Sequence, residues 1–272
     1  MTSGWRVEVA VRAEHDRVVL AGLLGGDPVL HAYQLGDLDD FFWPYTSWFR
    51  RGEQVVLLYH GVTPPTVLAF AAPAGRAGMA ALLAEVAPVL PARSYAHLSP
   101  GLVGALSGSF RCESGGRHLR MALTDPGRLA GVASAGEVLG AADLPALRRL
   151  YGRAYPGNWF DARMVETGQY VGVRDGGELV AVAGVHVWSP VYGVAAVGNV
   201  ATDPRWRGRG LGAAVVAAAC ARLRESVAHV VLNVSAGNAA AVRLYERVGF
   251  TRVADYEEFT LTARSGLSAA AG

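Results

Sequence analysis

Three features of the sequence predict an α/β protein built in two similarly organised halves. The first is composition. Of 272 residues, 51% are hydrophobic and 18% charged, enough apolar side chain for a sizeable core and too little charge for wholesale disorder. The second is order. Apolar runs of strand period alternate with runs of helical period, and the sequence of elements is similar before and after the middle of the chain. The third is a change in composition over Thr124 to Gly140, a stretch of small residues that contains Asp125-Pro126-Gly127. It reads as a joint with its boundary near Ala133, giving one domain over residues 1–133 and a second over residues 134–272.

In the first half, Trp5 to Arg12 alternates as a strand does. Ala13 to Leu24 and Pro28 to Leu38 have helical spacing and are separated by Gly25-Gly26-Asp27. Phe41 to Tyr45 is an aromatic patch interrupted by Pro44. Gln54 to His60 and Thr66 to Ala72 are apolar runs bounded by Gly and Pro, hence strands. Arg76 to Val89 is helical. Ser94 to Leu98 is a short strand, and Pro100 to Leu106 a short helix with Ser99 available as its cap. Phe110 to Leu123 reads as a hairpin about Ser114-Gly115-Gly116.

In the second half, Asp143 is placed to cap a helix over Leu144 to Tyr155, with Pro145 in its first turn. Phe160 to Thr167 is a second short helix. Tyr170 to Arg174 and Leu179 to Trp188 are strands joined by Asp175-Gly176-Gly177. Val194 to Thr202 is a strand, Gly210 to Glu225 a long helix, Val230 to Ser235 a strand and Asn238 to Val248 a helix stopped by Gly249. Phe250 to Val253 and Tyr256 to Thr262 read as two final strands.

The sequence contains no lysine, so all 25 of its Lys and Arg residues are arginine. That excludes a phosphate loop with a catalytic lysine, a lysine Schiff base with pyridoxal phosphate and a kinase-type strand lysine. A formal net charge of +2 without long basic runs gives no footprint for nucleic acid. Cys112 and Cys220 fit no metal or redox spacing, so no metal site is expected and a reducing, cytoplasmic setting is the default. Met1 to Arg12 has neither signal- nor transit-peptide character. The longest apolar stretch, Leu211 to Ala221, is shorter than the ~20 residues a membrane span needs, so no membrane partner is expected.

The richest segment is Asn199-Val200-Ala201-Thr202-Asp203-Pro204-Arg205-Trp206-Arg207-Gly208-Arg209-Gly210-Leu211-Gly212. A strand ends, a proline turn follows, and glycine recurs at alternate positions where an apolar helix begins. Glycine lets the backbone approach an anion closely. The first N–H groups of the helix lack internal partners and face that anion. Arg207 adds a fork suited to phosphate. A dinucleotide fingerprint would need its third glycine one place later and an acidic residue on the next strand, where Asn233 stands.

Asn238-Ala239-Ala240-Ala241-Val242-Arg243-Leu244-Tyr245-Glu246-Arg247-Val248-Gly249-Phe250 follows the next strand. Together with Arg207-x-x-Gly210-x-Gly212, it resembles the GNAT superfamily of acyl-CoA-dependent N-acyltransferases. The resemblance covers Asp143 to Thr262, about half the chain. It implies two GNAT-like halves, each a mixed, mostly antiparallel sheet flanked by helices. It further implies acetyl-CoA as co-substrate, with Arg207, Gly208, Arg209, Gly210, Leu211 and Gly212 on its pyrophosphate. Asn199, Val200, Ala201 and Thr202 would take its pantetheine arm along a strand splayed from its neighbour. Asn238 would lie beside the cofactor, and Tyr245 would protonate the departing thiolate.

The expected activity is transfer of an acetyl group to a primary amine of a small molecule by direct attack, in a monomer or homodimer. The alternative is a non-catalytic acyl-CoA sensor or interaction module. The chain departs from the family pattern in having no acidic residue between Val194 and Thr202. His186, with a suitable intrinsic pKa, Asp161 and Glu166 are the candidate bases, unless ordered water serves. Tyr155, Trp159 and Trp188 are the candidate acceptor-binding residues, with Tyr151 and Phe160 in the same region. The first half lacks both motifs. It is expected to be a degenerate copy that has lost CoA binding, an organisation similar to that of glycine N-acyltransferase-like and mycothiol synthase-like two-part enzymes. Asp37, Asp39, Asp40 and the following aromatics are candidates for the acceptor-side face, against the favoured reading of the three acids as a solvated turn.

Overall fold

The computed structural model describes residues 10–158 and 160–264. They group into two compact units that interleave along the chain. The first gathers the described residues up to Gly26, Phe42–Gly116 and those from Tyr256 onward; the second gathers Asp27–Phe41 and Arg117–Asp255. No single cut near Ala133 separates them. Two long strands, Phe110–Leu123 and Phe250–Ala263, each begin in one unit and end in the other.

In chain order the elements are β1 (Arg12–Ala13), α1 (Arg17–Leu24), α2 (Ala32–Gly36), β2 (Thr46–Arg51), β3 (Gln54–Tyr59), β4 (Thr66–Ala69), α3 (Arg76–Val86), β5 (Arg93–Leu98) and β6 (Phe110–Leu123). They continue with β7 (Glu137–Leu139), α4 (Leu144–Ala154), β8 (Tyr170–Asp175), β9 (Glu178–Ser189), β10 (Val194–Thr202), α5 (Leu211–Leu223), β11 (His229–Ser235), α6 (Ala239–Arg247) and β12 (Phe250–Ala263).

Strands of the first unit pair in the order β1-β2-β3-β4-β5-β12, and those of the second in the order β6-β11-β10-β9-β8-β7. Each order holds one parallel pair, β4 with β5 and β10 with β11, amid antiparallel neighbours. A parallel pair needs a crossover, and α3 and α5 supply it. α3 buries Met79, Leu82, Leu83 and Val86, one face at helical spacing, in a core with Val56, Val67, Ala96 and Leu98. α5 is buried on nearly every side, from Ala213 to Leu223. Its alanines let it lie close to the sheet.

Several expectations from sequence change. The helix expected from Ala13 starts at Arg17, because the Asp16 carboxylate accepts the N–H groups of Val18 (2.8 Å) and Val19 (3.2 Å). Such a cap contributes about 1 kcal/mol. Within Pro28 to Leu38, only Ala32–Gly36 is α-helical. Ser99 does not cap a helix; its hydroxyl exchanges hydrogen bonds with the backbone of Ala71. Asp143 accepts from the N–H of Gly140 (2.8 Å) instead of capping α4. The hairpin about Ser114-Gly115-Gly116 is one continuous strand, and so is the pair of strands at the end of the chain. β2 was not anticipated. Of the strand expected over Trp5 to Arg12, all but Ala10, Val11 and Arg12 lies outside the described residues.

Candidate active site

The site lies in the second unit, where β10 leaves its parallel partner. Pairing between β10 and β11 runs from Val194–His229 to Val197–Leu232 and then stops, although both strands continue. The edge of β10 from Gly198 to Thr202 therefore faces a gap.

Two irregularities shape that end of β10. Opposite β9, the register shifts between Ala196 and Val197, where His186 is the extra residue on β9. It shifts back between Gly198 and Ala201, where the extra residue is on β10. Asn199 adopts φ +52°, the one positive φ among the described non-glycine residues. Such a backbone costs on the order of 1–3 kcal/mol unless its surroundings impose it. Here they do. Asn199 is buried, its carbonyl accepts from the Tyr151 hydroxyl (2.9 Å), and its Nδ2 donates to the Tyr170 hydroxyl (3.0 Å). Burial pushes both phenols up, so both stay protonated as this lock requires.

Gly198 and Gly184 face each other across β10 and β9, so substituents there would project from the same face of the sheet. A Cβ on Gly198 would overlap the His186 ring, and one on Gly184 the Tyr170 ring. His186 and Tyr170 therefore lie on one face. Phe160 joins that face, 4.8 Å from the Tyr151 ring and 6.1 Å from Tyr170 between centroids. Tyr33 joins it from α2, with its ring 6.2 Å from His186.

After β10, Asp203 organises the turn. Its buried carboxylate accepts from the backbone N–H of Arg205 (3.0 Å), the Arg205 side chain and Arg153 of α4 (2.9 Å). Those hydrogen bonds, the Arg205 side chain's foremost, hold it well below the usual carboxylate range. Arg207 reaches back to the carbonyls of Thr202 and Ala154, both at 3.3 Å, so it ties the loop to the end of α4. Arg209 is exposed, with its guanidinium 4.4 Å from the centre of the Trp206 ring.

Gly208 and Gly210 have φ of +76° and +79°, and the space where a Cβ would stand is open at both. Gly210 ends the loop as the N-cap of α5 with no side-chain cap. The first-turn N–H groups of Leu211, Gly212 and Ala213 have no acceptor within the helix. Positive helix-end charge, open backbone and flanking arginines fit a pyrophosphate. At Gly212, a Cβ would meet Leu244 at 3.1 Å, so this glycine serves the close packing of α5 on α6.

Tyr245 is buried on α6, with its ring 6.0 Å from Phe250. Burial first, then the neighbouring Tyr155 and Cys220, raise its pKa, so the phenol holds its proton. Tyr155 is 48% exposed at the end of α4. The Cys220 thiol, wholly buried, is pushed up to about 12, which removes it as a nucleophile at neutral pH. Asn238 accepts from the Ala241 N–H (3.1 Å) and so caps α6.

Other expected residues sit elsewhere. Trp188 donates to the Ser226 hydroxyl (3.0 Å), beyond the C-terminal end of α5. A helix of 13 residues is about 20 Å long, so Trp188 stands a helix length from the loop and does not line its end of the sheet. Trp159 lies outside the described residues. Asp161 is committed to Arg163 (2.7 Å) and to a turn cap, and Glu166 is exposed.

Sequence reasoning put the helix over Pro28 to Leu38 in the first domain. Residues Asp27–Phe41 belong to the second unit. Gly36 packs so tightly on β9 that a Cβ would come within 2.8 Å of Val187. Asp39 accepts from the Ser189 hydroxyl (2.7 Å). Arg120 of β6 holds the segment, donating to the Leu30 carbonyl and, at 3.2 Å, to Asn233, with its guanidinium 5.1 Å from the centre of the Tyr33 ring. Asp37 is only 4% exposed, so it is no part of a solvated turn. The sole legible signal was the apolar helical run itself.

Among the described residues, no helix is long and apolar enough to cross a membrane, and no cluster of three or more His, Cys, Asp or Glu side chains could hold a metal ion.

Residues 137–250 match the family model described as the acetyltransferase (GNAT) family. Over 54 residues the chain is 52% identical to a mycothiol acetyltransferase of Thermobispora bispora, a match that spans 20% of this chain and 18% of that relative. Among solved structures, a GNAT-family acetyltransferase of Novosphingobium aromaticivorans is 27% identical, with 73% of this chain and 84% of that one covered and a TM-score of 0.51. A tandem GNAT protein from the clavulanic acid biosynthesis pathway is 17% identical, with 93% and 98% covered and a TM-score of 0.53, a likeness of fold alone.

Proposed function

Since residues 137–250 belong to the acetyltransferase (GNAT) family within a tandem GNAT architecture, we propose that the second unit transfers an acetyl group from acetyl-CoA to a primary amine of a small molecule. The observation that carries this reading is the coincidence of three features at one end of β10. They are the gap beyond Val197–Leu232, the open positive-φ glycines before α5 and the buried, protonated Tyr245.

Acetyl-CoA supplies an acyl group activated as a thioester, and an amine displaces the thiol to leave an amide. The chain's part is positioning and charge. The N–H groups of Gly208 to Gly212 and the flanking Arg209 receive the pyrophosphate. Arg207 has a guanidinium nitrogen left over from its carbonyl contacts and serves first to hold the loop. The carbonyls of Asn199 and Thr202 are engaged by Tyr151 and Arg207, so Val200 and Ala201 offer the freer part of the edge to the pantetheine arm. A backbone N–H there is placed to stabilise an oxyanion. Tyr245, kept neutral by burial, is the group that gives a proton to the sulfur as it leaves. His186, whose ring occupies the space where a Cβ of Gly198 would stand, is the candidate to receive the proton of the amine.

Tyr155 and Phe160 border the acceptor. The mycothiol acetyltransferase likeness favours an amine on a small polar metabolite. The test is release of CoA from acetyl-CoA over a panel of primary amines. Stimulated release with an acetylated product by mass spectrometry is expected. Tight CoA binding with no stimulation by any amine would favour a non-catalytic acyl-CoA sensor.

A further inference from the structure

The carboxyl of Asp37 is buried without a partner among the described residues. The residue is 4% exposed, and among the described residues its carboxylate makes no hydrogen bond and no ion pair. Its neighbours along the chain are committed differently. His31 is hydrogen-bonded to Gln34 (2.7 Å), and Asp39 to Ser189. Arg120 holds Leu30 and Asn233 and does not pair with Asp37. Nor are the carboxyl oxygens of Asp37 among the side-chain atoms that are sealed from solvent without a partner. What little of Asp37 stays accessible therefore includes its oxygens.

The side of α2 on which Asp37 lies follows from the helix. Asp37 continues α2 in helical conformation, with its N–H on the Tyr33 carbonyl (2.9 Å). Residues four apart lie on one face of a helix. Asp37 thus shares the face of Tyr33, whose ring lies against His186 at the β9 bulge. Gly36, with its backbone against Val187, is what draws this face down to the sheet. An isolated carboxylate beside aromatic rings is costly to bury, and burial raises its pKa well above the ordinary range. A cation reaching those oxygens would remove that cost, and aromatic faces would assist it.

We propose that Asp37, from the N-terminal half of the chain, is an acceptor-binding carboxylate of the acetyl-transfer site and that the acceptor is bound there through a cationic amino group. The assignment rests on the amine-acceptor reading above and narrows it to cationic amines. It is a binding role, with no proton transfer assigned to Asp37.

Calorimetric titration of the CoA-saturated protein tests it without any turnover. The probes are 1,4-diaminobutane and its neutral counterpart 1,4-butanediol. The wild type should bind the diamine more tightly than the diol. Asp37→Asn should weaken the diamine at least about tenfold, the scale of one charge-assisted contact, and leave the diol unchanged. Glu53→Gln, exposed and in the first unit, should match the wild type. Asp37→Asn should also melt at a higher temperature at neutral pH, since it removes an unpaired buried charge.

Equal diamine affinity in wild type and Asp37→Asn, no preference for diamine over diol, or a lower melting temperature for Asp37→Asn would each overturn the proposal. Acetyl transfer is scored separately. If Asp37→Asn acetylates amines with an unchanged KM, this inference fails while the enzymatic reading stands. If cations bind through Asp37 but no amine is acetylated, the enzymatic reading fails while the cation site stands.

Discussion

Each unit contains one parallel strand pair with a crossover helix, yet the two pairs end differently. In the first unit, β4 and β5 stay paired to their ends, from Thr66–Tyr95 to Ala69–Leu98. Ser99 then extends the seam, giving its N–H to Ala69 (3.0 Å) and its hydroxyl to the backbone of Ala71. In the second unit, pairing stops at Val197–Leu232, and β10 runs on past a bulge held open by Tyr151, Asn199 and Tyr170. The helices differ in the same way. α5 follows two open positive-φ glycines, whereas α3 follows Gly75, at ordinary negative φ, with the Gln54 side chain where a Cβ would be (3.1 Å). One architecture thus gives a closed seam or an open gap according to a few residues at the end of one strand.

The largest expected effect comes from the loop glycines. Gly210→Val forces a branched side chain into positive φ and into the path of the pyrophosphate. CoA affinity, read by calorimetry, should fall by at least ~100-fold, the scale of losing several charge-assisted contacts. Gly75→Val, at the matching place in the first unit, should leave CoA affinity unchanged. Comparable losses from both would end the distinction between the units.

Next comes Tyr245→Phe. If the phenol protonates the thiolate, kcat should fall by ~10²-fold, at the low end for general acid catalysis, while CoA affinity holds within about twofold. A kcat that does not move over a pH series removes Tyr245 from the chemistry.

Gly198→Ala sharpens the bulge side of the comparison. The methyl group would displace the His186 ring, and such overpacking costs about 1–3 kcal/mol. Both stability and kcat should drop. An unperturbed His186 imidazole resonance in the variant would contradict the packing described.

The smallest effect is electrostatic. The Asp37 pKa is higher in the folded than in the unfolded chain, where it is near 4. Across that window the native state binds more protons, so stability falls as pH rises. Asp37→Asn should remove part of that fall, seen as a flatter melting temperature from pH 4 upward. A fall of the same steepness in the variant would place the titration elsewhere.

Much of this was legible in the sequence, and what was not has a physical reason. β10 and the loop to α5 carry their own punctuation, Pro204 and alternate glycines, and the strand was bounded correctly from pattern alone. Tyr245 was singled out by the resemblance of its segment, ending in Gly249 and Phe250, to the family motif. The glycines at 115 and 116 misled, because glycine marks a close approach as well as a turn. A Cβ on Gly115 would come within 3.2 Å of Glu258 on β12, so this residue serves packing in mid-strand. Asp37 was read as solvated because local sequence records only an acidic turn. Its burial depends on Gly36 meeting Val187 and on Arg120 reaching Leu30, contacts across 151 and 90 residues of chain. The bulge at Asn199 was equally hidden, since its lock comes from tyrosines on two other elements.

One unit of the pair is proposed to bind the cofactor and the other is not. Titration of the intact protein with CoA tests it most directly. One CoA per chain is expected, with that single site lost in Gly210→Val. Two sites per chain, or a full site surviving in Gly210→Val, would contradict it.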